Sequence, residues 1–415
     1  MSKSELAAEK AELENRFAAF KAMGLKLDMS RGKPGSDQLD ISNALNNPDL
    51  DYIEDGVDLR NYGLLDGIPS CKKLFAELMG VEPKNIVIGP NASLTLMFDY
   101  ICQCYTHGAG STPWCRLENV KFLCPVPGYD RHFTILNHFG IEMINIAMNE
   151  NGPDMDAIEE YVKDPSVKGI ICVPKYSNPQ GITFSAEVVE RIAALKPAAE
   201  DFRIIWDNAY FIHYLEKEDD EELVNIFDVL PKYGNDDMVV EFCSTSKITF
   251  PGAGVSALAA SDDNIAMIKK RLNAQTISYD KMNQFRHVKF FGDADGVYAH
   301  MKKHAAIMKP KFDMVLGHLD NELAGKGIAQ WITPKGGYFI SLDAMPGTAK
   351  RVGELCKEAG VTLTTVGATY PYGVDPNNSN IRIAPSYPPV EELNKAAEIL
   401  CIAVQLAAIE KLLSE

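Results

Sequence analysis

The sequence lacks the basic surplus that two large classes of protein require. Its 41 Lys and Arg residues stand against 57 Asp and Glu, which gives a formal net charge of −16. Proteins that coat nucleic acid or an anionic membrane need basic patches, so the composition argues against both partners. It sets no limit on small anions, which a local cationic pocket can bind.

Long apolar runs and paired cysteines are also missing. The longest apolar stretch near the C-terminus, 399–409, is interrupted by Gln405 and is about half as long as a bilayer requires. The N-terminus has a charged helical pattern instead of the apolar centre of a signal peptide. The nine cysteines include no CxxC pair, and no histidine stands at zinc spacing. We expect a cytoplasmic protein with neither a disulfide framework nor a metal site.

The sequence does contain a recurring unit, in which a short, apolar, β-branched run is followed by a segment with a helical pattern. Such runs are typical of an α/β sheet that is mostly parallel and covered on both faces. The sequence therefore predicts a mostly parallel, seven-stranded sheet from the runs 85–89, 120–123, 141–147, 167–173, 203–206, 238–242 and 255–260.

After Asp262 the pattern changes to long helices with shorter strand-like pieces. The helical stretches are 265–272, 282–323 and 389–413, and the strand-like pieces are 331–333, 337–342 and 380–383. A chain of 415 residues is long enough for two or three domains. We predict a large domain at 50–310, a smaller α/β domain at 311–415, and an N-terminal segment, 1–49, that packs on the smaller domain.

Reactive side chains follow three consecutive strands of the predicted sheet. Asn178 comes after the fourth run, Asp207 and Tyr210 end the fifth, and Lys247 follows the sixth. Open α/β sheets bind ligands outside the carboxyl ends of their strands, so we expect these residues at one edge. The first run ends in a turn that opens a helix at Ser93, where free N–H groups could hold a phosphate.

A lysine, a carboxylate, a phenol and a phosphate cradle form a coherent set for pyridoxal 5'-phosphate. This cofactor needs a lysine for covalent attachment and an anionic partner for its pyridinium nitrogen. With its motifs spaced as they are, the sequence resembles the aminotransferases of the fold-type-I pyridoxal-phosphate superfamily from Ser30 to Arg382. The segment 335–339, Lys-Gly-Gly-Tyr-Phe, matches a small-domain strand motif of the family and is expected to be structural.

The resemblance implies roles for the residues after the strands. Lys247 would bind the cofactor covalently and move the proton, and Asp207 would pair with the pyridinium nitrogen. Tyr210 and Asn178 would donate to the phenolic oxygen of the cofactor. Other readings stay open, because most lysines are solvated, an aspartate after a strand often caps a helix, and Asn-Pro-Gln-Gly is also a plain turn.

The resemblance also assigns residues to the cofactor phosphate. Ser244, Ser246 and the backbone of Ala92 and Ser93 would bind it, although a single serine is more often a helix cap. Tyr62 matches a segment that reaches the phosphate of the partner subunit, and a core tyrosine is the alternative. The match implies a homodimer with shared active sites.

For the substrate, the resemblance points to Arg382 as the residue that grips the α-carboxylate, because its fork suits bidentate binding. Gly32 matches an N-terminal substrate loop, where a glycine allows close approach of the backbone. A side-chain carboxylate needs a second cation. Lys281 and Arg286 are the preferred residues and Lys33 is a further one, with a solvated surface position open for each.

Two positions depart from the family pattern. Family members commonly carry a phosphate-binding arginine where this sequence has Gly254 and Val255. Many relatives place an aromatic residue on the pyridine where this chain has Val126, so Tyr129 is predicted to stack instead. A similar Ile-Thr-Phe-x-Gly-Ala-Gly segment after the lysine occurs in a less common branch of aspartate aminotransferases.

The resemblance therefore predicts reversible amino transfer between L-aspartate and 2-oxoglutarate. A different amino-acid specificity, a β-lyase or a β-decarboxylase remains open within the same fold. A non-catalytic sensing domain of a transcription regulator would be accompanied by a basic DNA-binding segment before Ser30, which we do not expect. A dinucleotide oxidoreductase is supported only by a Gly-Ala-Gly that lies too far from its strand.

Overall fold

The computed structural model describes residues 2–47 and 49–415, so Met1 and Pro48 of the predicted N-terminal segment lie outside the described residues. The helices, in chain order, are α1 (Lys3–Ala22), α2 (Ser36–Asp40), α3 (Pro69–Met79), α4 (Ser93–His107), α5 (Asp130–His138), α6 (Met155–Tyr161), α7 (Ala186–Ala193), α8 (Ile226–Val229), α9 (Asp262–Gln275), α10 (Lys281–Phe291), α11 (Ala294–Leu323), α12 (Ala349–Glu358) and α13 (Val390–Ser414). The strands are β1 (Leu27–Asp28), β2 (Ile53–Glu54), β3 (Val57–Asp58), β4 (Ile86–Ile88), β5 (Lys121–Val126), β6 (Glu142–Asn149), β7 (Gly152–Pro153), β8 (Val167–Cys172), β9 (Arg203–Asp207), β10 (Val239–Ser244), β11 (Ser256–Ala260), β12 (Ala329–Trp331), β13 (Ile340–Ala344), β14 (Val361–Thr362) and β15 (Asn380–Ile383).

A mostly parallel sheet forms the centre of the chain, in the strand order β4-β11-β10-β9-β8-β5-β6-β7. β10, β9, β8, β5 and β6 pair in parallel, whereas β11 is antiparallel to both of its neighbours. All seven predicted runs are strands of this sheet, so the predicted fold class is confirmed. An eighth strand, β7, was not predicted, because two residues are too short to show a periodicity.

The central strands are apolar because both faces of the sheet are covered. Every residue of β9, β10 and β11 is buried. On β9, Ile205 packs into the core cluster on one face, and Trp206 packs into the cluster on the other face. Such strands read as continuous apolar runs without polar alternation, which is the pattern found in the sequence.

A second, antiparallel sheet with the order β12-β13-β15 lies in the C-terminal part of the chain. The N-terminal segment contacts this part, since α1 packs on α13 and β1 pairs in parallel with β14. The domain boundaries at 50 and 310 stay predictions, and the second one falls within α11, at Pro310.

The stretch predicted as helical over 282–323 is helical except at Gly292 and Asp293, where one helix ends and the next begins. α10 ends before Gly292, which has a φ of 79°. Asp293 then caps α11, and its side chain accepts a hydrogen bond of 2.9 Å from the Gly296 N–H. A residue with positive φ followed by an N-cap stops one helix and starts the next.

The apolar C-terminal helix belongs to the protein core. The stretch 399–409 of α13 is buried in a cluster with residues of α11, α12 and β13. Within 2–47 and 49–415, no helix combines the length and the apolar character needed to cross a membrane.

Candidate active site

Lys247 follows β10 at the carboxyl edge of the central sheet. Its Nζ lies 5.1 Å from the ring centroid of Tyr210 and 5.8 Å from that of Tyr338. Burial lowers the pKa of the Lys247 ammonium; Asp207 opposes this shift, and the positive charge of Arg382 adds to it. A neutral amine, which can act as a base or nucleophile, therefore forms more readily than on an exposed lysine.

The backbone next to Lys247 is held by buried side chains. Tyr338, in the segment expected to be structural, donates from its hydroxyl to the Lys247 carbonyl oxygen at 3.2 Å. His300 and His304 contact the Ile248 carbonyl oxygen through their Nε2 atoms, at 2.9 Å and 2.8 Å. Burial lowers the pKa of His304 to about 4, so its ring is neutral at pH 7. These contacts restrict the main chain from which the reactive amine projects.

Asp207 ends β9 and is only 2% exposed. Its Oδ2 lies 2.8 Å from His132 Nε2, whereas its Oδ1 is buried with no hydrogen-bond partner among the residues described. A buried carboxylate oxygen without a donor is costly. The site thus fits a ligand that brings an N–H donor to this oxygen, as the protonated ring nitrogen of pyridoxal phosphate does.

Tyr129 and His132 reach this site from the start of α5. The two rings lie edge to face with centroids 4.9 Å apart, and His132 is buried. Burial raises the pKa of Tyr129 to about 12, with Asp207 and Asp130 adding to the shift, so the phenol stays neutral. Sequence reasoning missed His132, because its partner Asp207 is 75 residues away in the chain.

The predicted phosphate cradle joins two separate segments. α4 begins at Ser93, and the N-cap residue Ala92 offers no side-chain acceptor to the first turn. Ser246 Oγ donates to the Asn91 carbonyl oxygen at 2.8 Å, and Ser244 Oγ donates to Ser246 Oγ at 3.1 Å. The uncapped N–H groups of α4 and the two serines therefore lie side by side, as an anion site requires.

Packing explains why no arginine stands at the first position that departs from the family pattern. A Cβ atom at Gly254 would lie 2.7 Å from the Asn91 carbonyl oxygen and 3.3 Å from the Ser246 nitrogen. Val255 is buried, and its N–H donates to Thr245 Oγ1 at 2.9 Å. The backbone of the cradle thus occupies the space that a side chain at 254 would need.

Arg382 projects from β15 toward the same edge of the central sheet. Its Nη1 donates to Asp130 Oδ1 at 2.9 Å and to Asn178 Oδ1 at 3.2 Å. Its Nε donates to Thr364 Oγ1 at 3.3 Å, and its guanidinium carbon lies 4.8 Å from the Phe339 ring centroid. The fold therefore brings Arg382 and Asn178, both predicted from the sequence, into direct contact.

The N-terminal loop around Gly32 lies against this arginine through Phe339. A Cβ atom at Gly32 would stand 2.3 Å from Phe339 Cζ, so only glycine fits there without rearrangement. Thr364 Oγ1 donates to the Ser30 carbonyl oxygen at 2.6 Å. The loop that was predicted to face the substrate thus borders Arg382.

For three predicted residues, the described part of the chain shows no hydrogen bond to the residues of this cluster. Tyr62 is 81% exposed, and Lys281 Nζ donates to the carbonyl oxygens of Asn61 and Gly63, the latter at 3.0 Å. Arg286 is partly buried, and its Nε lacks a partner in the described ranges. Their roles stay predictions.

Sequence comparison decides the family. The family model described as aspartate amino-transferase matches residues 1–415 of the chain. The chain belongs to the aspartate aminotransferase family. The predicted family and enzyme class of this aminotransferase are therefore confirmed.

Individual relatives agree with the family. The chain is 48% identical over 404 residues to the aspartate aminotransferase of Corynebacterium glutamicum, which covers 96% of this chain and 93% of the relative. It is 45% identical over 423 residues to a putative aminotransferase of Mycolicibacterium smegmatis, which covers 100% of this chain and 99% of that one. The crystal structure of an aspartate transaminase from Corynebacterium glutamicum superposes with a TM-score of 0.96 at 46% identity, covering 99% of this chain and 98% of the other.

Proposed function

We propose that this aminotransferase uses pyridoxal 5'-phosphate to transfer an amino group reversibly between L-aspartate and 2-oxoglutarate. The observation that best supports the cofactor is the buried Oδ1 of Asp207, which has no hydrogen-bond partner within 2–47 and 49–415 and belongs to the cluster that includes Lys247. The relative from Corynebacterium glutamicum, named aspartate aminotransferase, supports the substrate.

Each residue of the cluster has a distinct task in this proposal. When bound, the cofactor supplies an electron sink that stabilises negative charge on the α-carbon of the substrate. Lys247 would hold the cofactor covalently, and its Nζ, when free, would take the α-proton of the substrate. Asp207, held by His132, keeps the ring nitrogen protonated. Asn178 and Tyr210 orient the ring through its phenolic oxygen.

The cradle and the arginines hold the anionic ends of the ligands. Ser244 and Ser246, with the N-terminus of α4, bind the phosphate, and Arg382 binds the α-carboxylate. For the side-chain carboxylate, Arg286 offers an N–H group without a partner in the described residues. The ammonium of Lys281 is already bonded to two backbone carbonyls.

We also propose that the enzyme is a cytoplasmic homodimer in which Tyr62 reaches the phosphate of the partner subunit. The exposure of Tyr62 supports this proposal, because a side chain that is 81% exposed on its own chain is free to contact a partner subunit. Lys281 would then stabilise the Tyr62 loop through its hydrogen bonds to the carbonyl oxygens of Asn61 and Gly63.

A panel of amino donors tests the substrate. With 2-oxoglutarate as acceptor, we expect kcat/KM for aspartate to exceed that for alanine and phenylalanine by about 100-fold, because a paired carboxylate is worth several kcal/mol in a desolvated site. Steady-state kinetics of the holoenzyme give these ratios. If aspartate is no better than alanine, the proposed specificity is wrong.

Variants of α10 then locate the second cation. Arg286→Gln should lower kcat/KM for aspartate and leave that for alanine unchanged, and Lys281→Gln is measured in parallel. Lys289→Gln is the matched control, since this exposed lysine lies on the same helix over the Phe285 ring. Equal losses with both donors would exclude a role in binding the side-chain carboxylate.

A further inference from the structure

The arginine assigned to the substrate already holds a carboxylate from its own chain. Asp130 stands in the first turn of α5, beside the large sheet, whereas Arg382 belongs to β15 of the C-terminal sheet. Their ion pair spans 2.9 Å, and the side chains are 32% and 7% exposed, respectively. The pair therefore connects two structural units at the place where a substrate carboxylate is expected.

The hydrogen bonds of Arg382 leave no free edge for a second carboxylate. A guanidinium binds a carboxylate in the bidentate mode through two neighbouring nitrogens, either Nη1 with Nη2 or Nε with one Nη. The Nη1 donates to Asp130 and Asn178, and the Nε donates to Thr364. Each edge thus contains an N–H group that is already in use, so a ligand must displace at least one partner.

Asp130 is the partner that a substrate carboxylate resembles. We propose that Asp130 is an internal occupant of the carboxylate site of Arg382, and that the substrate binds by replacing it; this rests on the proposed role of Arg382. The exchange preserves charge, because one carboxylate leaves the guanidinium as another arrives.

The position of Asp130 lowers the free-energy cost of breaking its ion pair with Arg382. Its side chain is about one-third exposed, so the freed carboxylate can be hydrated. It also stands in the first turn of α5, where the positive end of the helix dipole stabilises a negative charge. Asn178 and Thr364 are uncharged and remain as acceptors that orient the guanidinium for the ligand.

An internal competitor weakens the apparent affinity for substrate. The apparent dissociation constant equals the intrinsic one divided by the fraction of molecules in which Arg382 is available. Removing the charge of Asp130 should therefore tighten binding. If Asp130 instead served to orient Arg382, its loss would weaken substrate binding. The two hypotheses therefore predict opposite changes in substrate affinity.

The test compares Asp130→Asn with the wild-type holoenzyme. We expect the KM for aspartate and the dissociation constant for succinate, a dicarboxylate without an amino group, to fall about tenfold. The kcat should stay within about twofold, because the variant does not alter a group that contacts the reacting atoms. Asp156→Asn is the matched control: Asp156 lies in the first turn of α6 and pairs with Arg191 at 2.5 Å.

A second variant separates specific exchange from a general change in charge. In an Arg382→Gln background, Asp130→Asn should no longer improve succinate binding, and a gain that persists would overturn the proposal. An unchanged or higher KM in Asp130→Asn alone would overturn it too. If Arg382→Gln leaves succinate binding intact, the proposed role of Arg382 fails as well. A wild-type enzyme that binds succinate without transaminating aspartate contradicts only the proposed function.

Discussion

His132 and Asp207 form the contact that most directly controls the ring nitrogen of the cofactor in the proposed enzyme. His132 Nε2 lies 2.8 Å from Asp207 Oδ2, and both side chains are almost fully buried. One oxygen is oriented by the histidine, whereas the other is buried without a hydrogen-bond partner in the parts of the chain described. The histidine thus positions Asp207 and does not itself need to touch the substrate.

Replacing His132 should therefore weaken the enzyme without changing its substrate preference. We expect His132→Ala to lower kcat and cofactor affinity by about 10- to 100-fold, since a hydrogen bond to a charged group is worth about 1.5–3 kcal/mol. Steady-state kinetics and cofactor loss on dialysis measure the two effects. The control is His138→Ala, an exposed histidine at the end of the same helix. Similar losses in both variants would show a general effect on α5.

Strand β10 contains an ionisable side chain whose charged form its surroundings do not favour. All of its residues are buried, and among them Glu241 accepts one hydrogen bond of 2.8 Å from Asn208 Nδ2. Burial raises the pKa of Glu241 from 4.5 to about 7. The strand that leads to Lys247 therefore contains a carboxyl group that prefers to stay protonated.

The protonation of Glu241 should make stability depend on pH. Because the pKa is raised in the folded state, the native protein binds this proton more tightly than the unfolded chain does. Its contribution to stability is fully present below about pH 4.5 and is lost as the pH rises through about 7. Relative to Glu241→Gln, the wild type should thus lose up to about 3 kcal/mol between pH 5 and pH 8.

Urea unfolding at a series of pH values measures this difference. Glu142→Gln, which replaces an exposed carboxylate of β6, serves as the control and should show no such divergence. Parallel curves for wild type and Glu241→Gln would mean that Glu241 is not protonated preferentially in the native state.

The arrangement of the whole molecule leaves Tyr62 outside its own core. Its loop is bonded to α10 through Lys281, and its ring is exposed at the surface. Lys247, in contrast, lies at the carboxyl edge of the sheet. In a dimer with shared sites, each complete site would combine Lys247 of one chain with Tyr62 of the other.

Mixed dimers test this arrangement. Lys247→Ala should be inactive, and Tyr62→Ala should lose about tenfold in cofactor affinity, as expected for one hydrogen bond to a charged group. If Tyr62 acts across the interface, a dimer of the two variants contains one intact site and regains activity at limiting cofactor. Activity assays after the two variants are mixed and their subunits re-associate measure this recovery of activity. A mixture no more active than the two separate variants would place Tyr62 in the site of its own chain or outside any site.

Local sequence patterns determined the strands and much of the site. Apolar runs predicted all seven main strands. β9, β10 and β11 are apolar along their length because they are buried on both faces, whereas β6 alternates between buried and exposed residues. The residues after those strands, Asn178, Asp207 and Lys247, could be grouped because parallel strands end at one edge. Helix ends were less predictable, as Gly292 shows, and β7 was too short to carry a signal.

Tertiary structure alone decided which side chains meet across the chain. Tyr338 contacts the Lys247 carbonyl from 91 residues away, and Asp130 pairs with Arg382 from 252 residues away. No local periodicity records such pairs, because each depends on how the C-terminal sheet is placed against the large one. The residue types that the chemistry needs can be read directly from the sequence. The packing of the two sheets decided which side chains contact these residues. Those contacts in turn influence the protonation state of each residue.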